Sequence, residues 1–418
     1  MAGLRQTLAR LSNLRALFER RLAEAGSHAT SEATQRSSLR EITNFGTNPG
    51  NLRLFAHVPS TLSATPALVV ALHGCTQTAH AYERGTGWSD LADRFGFVVI
   101  YPQQQPANNP KNCFSWFLPG DTRRDDGEAL SIRQMVEWAT LEFGIDRGRV
   151  FVTGLSAGGA MATVMLSTYP EVFAGGAIVA GLPYGSASSV QEAFEAMFNG
   201  SAASARALGD RVRGASRHRG PWPRISVWHG SADRVVSASN GGSIVAQWTN
   251  VHGLPAQSSG EEQVGRHIRR VWNGKNGTPQ VEAFSVIGMG HGEPLATRGE
   301  NGCGVAGPFF LDVGIGAAWQ IARFWKLDSE GSVQRTAKAK EGARRSFPSP
   351  YDPSAAAQSA DAATRSRPAV SPLQPDVVIA AAFKAAGLPP LPTKPDGTNR
   401  VDPDAIIDAA LKAAGLSR

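Results

Sequence analysis

The chain has 418 residues, 42% hydrophobic and 18% charged, an ordinary globular mixture with room for one large domain and appendages. Its net charge of +7 favours acidic surfaces such as phospholipid, and no zinc-finger or helix-turn-helix signature turns that charge into a reading of nucleic-acid binding. The three cysteines, Cys75, Cys113 and Cys303, are too few for a disulfide framework and include no CxxC pair for zinc.

Residues 1–26 place Leu4, Leu8, Leu11, Leu14, Phe18 and Leu22 three or four apart, with Arg5, Arg10, Arg15, Arg20 and Arg21 between them. That spacing predicts a basic amphipathic helix, packed on the main domain or bound to a surface. It has no continuous apolar run of the kind that heads a secretory signal, and no later stretch approaches the length of a membrane-spanning helix. The expectation is therefore cytoplasmic, with export left open.

From about 40 to 328 the pattern is α/β. Buried strands are predicted at Ala67–Leu72, Phe97–Tyr101, Val150–Thr153, Gly176–Ala180, Ile225–Trp228 and Val281–Ile287. Helices are predicted between or after them, at Trp88–Phe95, Glu128–Phe143, Gly159–Tyr169, Ser243–His252 and Asp312–Trp325. Such alternation builds a mostly parallel sheet covered on both faces. Residues 184–223 form an insert with Ala193, Phe194, Met197 and Phe198, then Arg211, Arg213, Arg217 and Arg219. It reads as a lid over a cleft or as a structural excursion with a basic face.

Residues 329–374 lose the pattern and read as a disordered linker rich in Ser, Ala, Pro, Lys and Arg. Within 375–418, PDVVIAAAFKAAGL at 375–388 recurs as PDAIIDAALKAAGL at 403–416. Each copy has Pro at the start and Gly at the stop of a short helix. Helices of this length are marginal alone, so each needs a surface: the catalytic domain, another subunit or an insoluble substrate.

The chemistry concentrates at Gly154-Leu155-Ser156-Ala157-Gly158, a G-x-S-x-G turn between a strand and a helix. Its glycines allow a strained serine to project above the strand end. A serine hydroxyl needs a base, and the base an orienting carboxylate. After the serine, two strand ends offer such residues, Ile225-Ser-Val-Trp-His-Gly-Ser-Ala-Asp233 and Val286-Ile-Gly-Met-Gly-His291. Asp233 and His291 are therefore read as acid and base for Ser156, in an α/β-hydrolase fold. His229 precedes Asp233 and is read as shaping the loop. His73 precedes the nucleophile. His218, His252 and His267 are read as surface residues. Asp312 follows His291 and is the second choice of carboxylate. The oxyanion needs two N–H donors, assigned to Ala157 and to Cys75 in the loop Leu72-His73-Gly74-Cys75-Thr76.

Several motifs then occur in order. They are Ala-Leu-His-Gly-Cys-Thr-Gln (71–77), Asn-Cys-Phe-Ser-Trp-Phe (112–117), Asp-Gly-Glu-Ala-Leu-Ser-Ile (126–132), Gly-Leu-Ser-Ala-Gly-Gly-Ala-Met (154–161), Trp-His-Gly-Ser-Ala-Asp (228–233) and Gly-Met-Gly-His-Gly (288–292). As a set they resemble the poly(3-hydroxybutyrate) depolymerase family of esterases over residues 40–328. The resemblance implies ester hydrolysis through an acyl-enzyme, without metal or other cofactor, on a polyester or its oligomers. It carries the nucleophile onto Ser156, the acid onto Asp233 and the base onto His291. Relatives cut feruloyl or acetyl esters on plant polysaccharides, which keeps a second substrate class open. A third reading is a non-catalytic protein associated with granules. Cys75 and Cys113 both lie in these motifs and are expected to bond in an oxidising compartment or to stay two buried thiols in cytoplasm. Trp116 reads as a substrate platform or a core aromatic.

Overall fold

The structure, a computed structural model, describes residues 2–26 and 39–328. The linker and the two C-terminal repeats expected from the sequence lie outside the described residues. Residues 10–337 cluster as one compact unit; of the other unit, Met1–Ala9 with 338–418, only the start of one helix is described.

That helix, α1 (Ala2–Gly26), precedes β1 (Arg40–Ile42) and β2 (Arg53–His57). Next come β3 (Leu68–Leu72), α2 (Ala79–Thr86), α3 (Trp88–Phe95) and β4 (Val98–Gln103). A short turn α4 (Pro119–Thr122) leads to α5 (Gly127–Phe143), β5 (Val150–Leu155), α6 (Ala157–Thr168) and β6 (Gly175–Val179). The insert contributes α7 (Val190–Asn199) and α8 (Ala205–Gly214) before β7 (Arg224–Gly230) and α9 (Ser239–His252). The chain closes with β8 (Gly260–Val264), β9 (His267–Asn273), β10 (Pro279–Val286), β11 (Glu293–Leu295), β12 (Phe310–Asp312) and α10 (Ala317–Phe324).

Ten strands form one sheet in the order β1-β2-β4-β3-β5-β6-β7-β10-β9-β8. The six central strands, β4 to β10, pair in parallel, and both edges turn antiparallel. The parallel centre is built from continuous apolar runs because helices cover both faces. Leu68–Leu72 and Val150–Leu155 are buried at every residue. Aromatic stacking closes one side of the core: Trp325 lies flat on Trp88 and Phe151, with centroids 5.6 and 4.7 Å away. Asp126 starts α5 by accepting the Gly127 N–H, and left-handed Gly144 stops it.

The six predicted strands and their α/β alternation are those of the structure. Strands β1, β2, β8, β9, β11 and β12 were not anticipated, and the exposed β1 and β8 lack apolar alternation. The predicted helix Asp312–Trp325 begins instead at Ala317; Asp312 ends β12, paired in parallel with β11. Among the described residues, no helix is long and apolar enough to cross a membrane.

From Arg10 on, the amphipathic helix packs on the rest of the larger unit. Phe18 and Leu22 are each 8% exposed, burial worth about 1.5–3 kcal/mol per side chain. Phe18 meets Phe194 of α7, and Arg21 donates to the Arg234 carbonyl at 2.7 Å while lying over the Phe198 ring.

Candidate active site

Ser156 sits between the end of β5 and the start of α6 with φ 58 and ψ −116, a conformation that strains any residue with a side chain. The neighbouring glycines make room for it. A Cβ on Gly158 would overlap the Leu72 carbonyl oxygen, and one on Gly154 would overlap the Gly158 backbone. The strain is held by the Ser156 N–H donating to Val179 at 2.8 Å and by the Ser156 carbonyl accepting from Ala160 at 2.9 Å. The Ala157 N–H opens α6, among the amides a helix leaves unpaired at its start.

Two further strand ends converge on it. Past β7, the Asp233 carboxylate accepts the Val235 and Val236 N–H groups at 2.8 and 2.9 Å through Oδ1. Its other oxygen meets His291 Nδ1 at 2.7 Å. The Asp233 loop is tied to the His291 loop by backbone bonds from Ser231 to Val286 and from Ala232 to Met289, each 3.0 Å. These loops run so close that a Cβ on Gly230 would strike the Met289 and Gly290 carbonyls. Burial pushes the Asp233 carboxyl up, but the imidazoles of His291 and His229 outweigh it and hold the group well below the ordinary carboxylate range. Asp233 therefore stays ionised and orients the His291 ring with Nδ1 toward it.

The third convergence is the turn after β3. Gly74 N–H donates to Gln77 Oε1 at 2.8 Å and Thr76 N–H to the Lys111 carbonyl at 2.6 Å. The amides on either side of Cys75 are thus committed within the protein. His73 is fully buried beneath. Its Nε2 accepts the Gln104 N–H at 3.1 Å and its Nδ1 faces the Gly74 carbonyl at 2.7 Å, while burial pulls its pKa to about 4. It is a neutral strut. Cys75 is disulfide-bonded to Cys113, with Cα atoms 4.2 Å apart, and Cys303 is a buried free thiol raised by burial to about 11.

Ser156, His291, Cys75, Gly74, Leu155 and Leu22 border one small cavity. A larger one of about 370 Å³ opens beside it, lined by Ser156, Ala157, Trp116, Phe117, Phe194 and Met197 among others. Trp116 is 7% exposed and turns its edge on Phe117, a cavity wall as well as a packed aromatic. The loop carrying it is pinned from below by Glu128, which accepts the Ser115 N–H and the Gln104 amide and which burial pushes up to about 8. The insert divides: α7 lines the large cavity, whereas α8 packs on α9, with Arg213 bound to Asp210 and Asn250.

Several histidines differ from expectation. His267 is 2% exposed, with Nε2 on the Val313 carbonyl and Nδ1 accepting Ile287 N–H; it braces the strand before His291. His252 is half-buried on the Pro223 carbonyl. Both looked like surface residues because their chain neighbours are polar. His229 bonds the Val236 carbonyl and approaches Asp233 at 3.4 Å, shaping that loop. Asp312 lies exposed on Thr297. Sequence reasoning missed Gln77, Glu128 and the cavity-lining role of Phe18 and Leu22. Gln77 and Glu128 lie in the 71–77 and 126–132 motifs, and Phe18 and Leu22 in the apolar stripe of the N-terminal helix, but no such role was read from either.

Residues 53–271 match the family described as Esterase PHB depolymerase. The chain belongs to that family. Within the PHB depolymerase esterases it is 49% identical over 292 residues to poly(3-hydroxyalkanoate) depolymerase C of Paucimonas lemoignei, covering 69% of this chain and 70% of that one. It is also similar to a feruloyl esterase B of Talaromyces stipitatus, 33% identical over 62% of this chain and 73% of the other. The solved acetyl xylan esterase from Aspergillus awamori superposes with a TM-score of 0.60 at 25% identity, over 69% of this chain and 99% of that one. Membership makes the protein a carboxylic ester hydrolase of the α/β-hydrolase type.

Proposed function

We propose that the protein hydrolyses the ester bonds of poly(3-hydroxybutyrate)-type polyesters or their oligomers, with Ser156, His291 and Asp233 as nucleophile, base and acid. The observation that carries this is the meeting of Ser156, His291 and the Cys75 turn around one cavity, beside a groove lined by aromatic and aliphatic side chains. Such a lining suits the methyl-bearing repeat of a hydroxyalkanoate.

In this reading His291 Nε2 takes the Ser156 proton as Oγ attacks the ester carbonyl. The tetrahedral oxyanion is held by the Cys75 and Ala157 N–H groups, and ionised Asp233 stabilises the imidazolium. His291 returns the proton to the leaving alcohol. Water then repeats the sequence on the acyl-enzyme and releases the acid. The test is the clearing of an amorphous poly(3-hydroxybutyrate) suspension: the intact protein clears it and Ser156→Ala does not. Clearing by Ser156→Ala overturns the nucleophile.

The second reading, an acetyl or feruloyl esterase, draws on the relatives that carry those names. Preference for feruloyl or acetyl esters over hydroxybutyrate oligomers selects it. The disulfide at Cys75 is of a kind that persists in oxidising compartments, and it favours one over the cytoplasm expected from sequence. Adsorption to a granule or phospholipid surface through the terminal amphipathic segments is tested by co-sedimentation of the full chain against a chain ending at residue 328. Equal binding removes the C-terminal repeats from the idea.

A further inference from the structure

Ser156, Asp233 and His291 are 6%, 9% and 3% exposed. A polyester chain runs on past both sides of the bond to be cut, yet here the centre lies under cover. Part of that cover is α1. Leu22 borders the small cavity with Ser156 and His291, and Phe18, Arg15 and Glu19 border the large one. As closed, the space has the size of a small-molecule site.

We propose that α1 is a removable wall of the substrate cavity and that Phe18 and Leu22 set which esters reach Ser156: short soluble esters with the helix docked, polymer chains once it lifts. This rests on Ser156 being the nucleophile.

The attachments suit such a role. The ion pairs Arg10–Glu195 and Lys111–Glu19 are exposed, the second with its charged atoms 3.9 Å apart, and exposed pairs hold little. Among the described contacts are also the Arg21 bond to Arg234, with the guanidinium over the Phe198 ring, and the apolar seating of Phe18 and Leu22. In water, lifting the helix exposes that seat on both sides: Phe18 and Leu22 on one, Phe194 and Phe198 on the other. Against an apolar polymer both sides are covered again, because hydrophobic burial is not directional. The polymer thus favours the lifted state by binding it better than the docked one, the only way a ligand shifts such an equilibrium.

The test labels Ser156 in the full-length chain with two fluorophosphonates, one carrying a methyl group and one a long biotinylated tail. In Phe18→Ala/Leu22→Ala the rate with the bulky reagent rises about tenfold and that with the small one changes by less than about twofold. Arg21→Ala leaves the cavity lining intact and loosens only the seating; it raises the bulky rate by a smaller factor, about threefold. In parallel, both variants raise the ratio of polymer clearing to soluble-ester hydrolysis. Equal bulky-reagent rates in the wild type and Arg21→Ala, with the double variant also unchanged or misfolded, overturn the inference and make α1 fixed architecture. A wild type in which neither reagent labels Ser156 overturns the nucleophile assignment, and this inference with it.

Discussion

The sheet centre and its cover are held by different kinds of force. At the centre, Ser156, Asp233 and His291 stand on strand ends fixed by backbone hydrogen bonds and by glycines where no Cβ fits. In the cover, among the described contacts, α1 is held to α7 by ring contacts and an exposed ion pair, and to the Arg234 carbonyl by one Arg21 side-chain bond. The first arrangement resists displacement by fractions of an ångström, as reaction geometry requires. The second can come apart without unfolding anything beneath it.

The sharpest way to break the contrast is at the centre. Asp233→Asn keeps the shape but loses the charge that fixes His291, and kcat on a soluble ester is expected to fall about 10⁴-fold with little change in melting temperature. A fall under tenfold would mean that Asp233 does not orient the base. Gly158→Ala drives a methyl into the Leu72 carbonyl and is expected to cost at least about 3 kcal/mol in urea unfolding, along with activity. A stable, active Gly158→Ala protein would show that the elbow can relax.

A titrating group sharpens it further. Glu293, two residues past His291, is fully buried with the Tyr82 hydroxyl at 3.5 Å, and burial pushes its carboxyl up to about 8. Its folded pKa lies above the ordinary 4.5, so the folded state keeps a proton that the unfolded chain releases. The stability is fully present below pH 4.5 and is lost as pH rises toward 8, on the order of 1 kcal/mol per unit. Glu293→Gln, always neutral, should flatten that decline; unfolding midpoints at pH 5 and 8 measure it, and parallel slopes in both proteins would refute it. Smallest of all is the cover: Arg10→Ala removes an exposed ion pair and should change unfolding stability by less than about 1 kcal/mol.

The same contrast decided what the sequence disclosed. Parallel strands buried on both faces are written as apolar runs, so Leu68–Leu72 and Val150–Leu155 could be read directly. Strand ends then placed Ser156, Asp233 and His291, the last two now 2.7 Å apart through oxygen and ring nitrogen. Edge strands such as Gly260–Val264 are exposed and polar, and their pairing depends on neighbours far along the chain. His267 and Glu128 look ordinary in sequence because what surrounds them comes from other elements. Phe18 and Leu22 announced that they would be buried, but an amphipathic stripe does not say against what.

The cover also enters the chain at separable places. α1 comes ahead of β1, and α7 and α8 lie between β6 and β7, whereas the sheet's own pairing runs from β6 straight to β7. Exchanging or reshaping these pieces leaves every hydrogen bond of the central ladder untouched. The helices proposed to govern access thus lie on stretches of sequence apart from those that carry Ser156, Asp233 and His291, while Trp116 and Phe117 complete the cavity wall from between them.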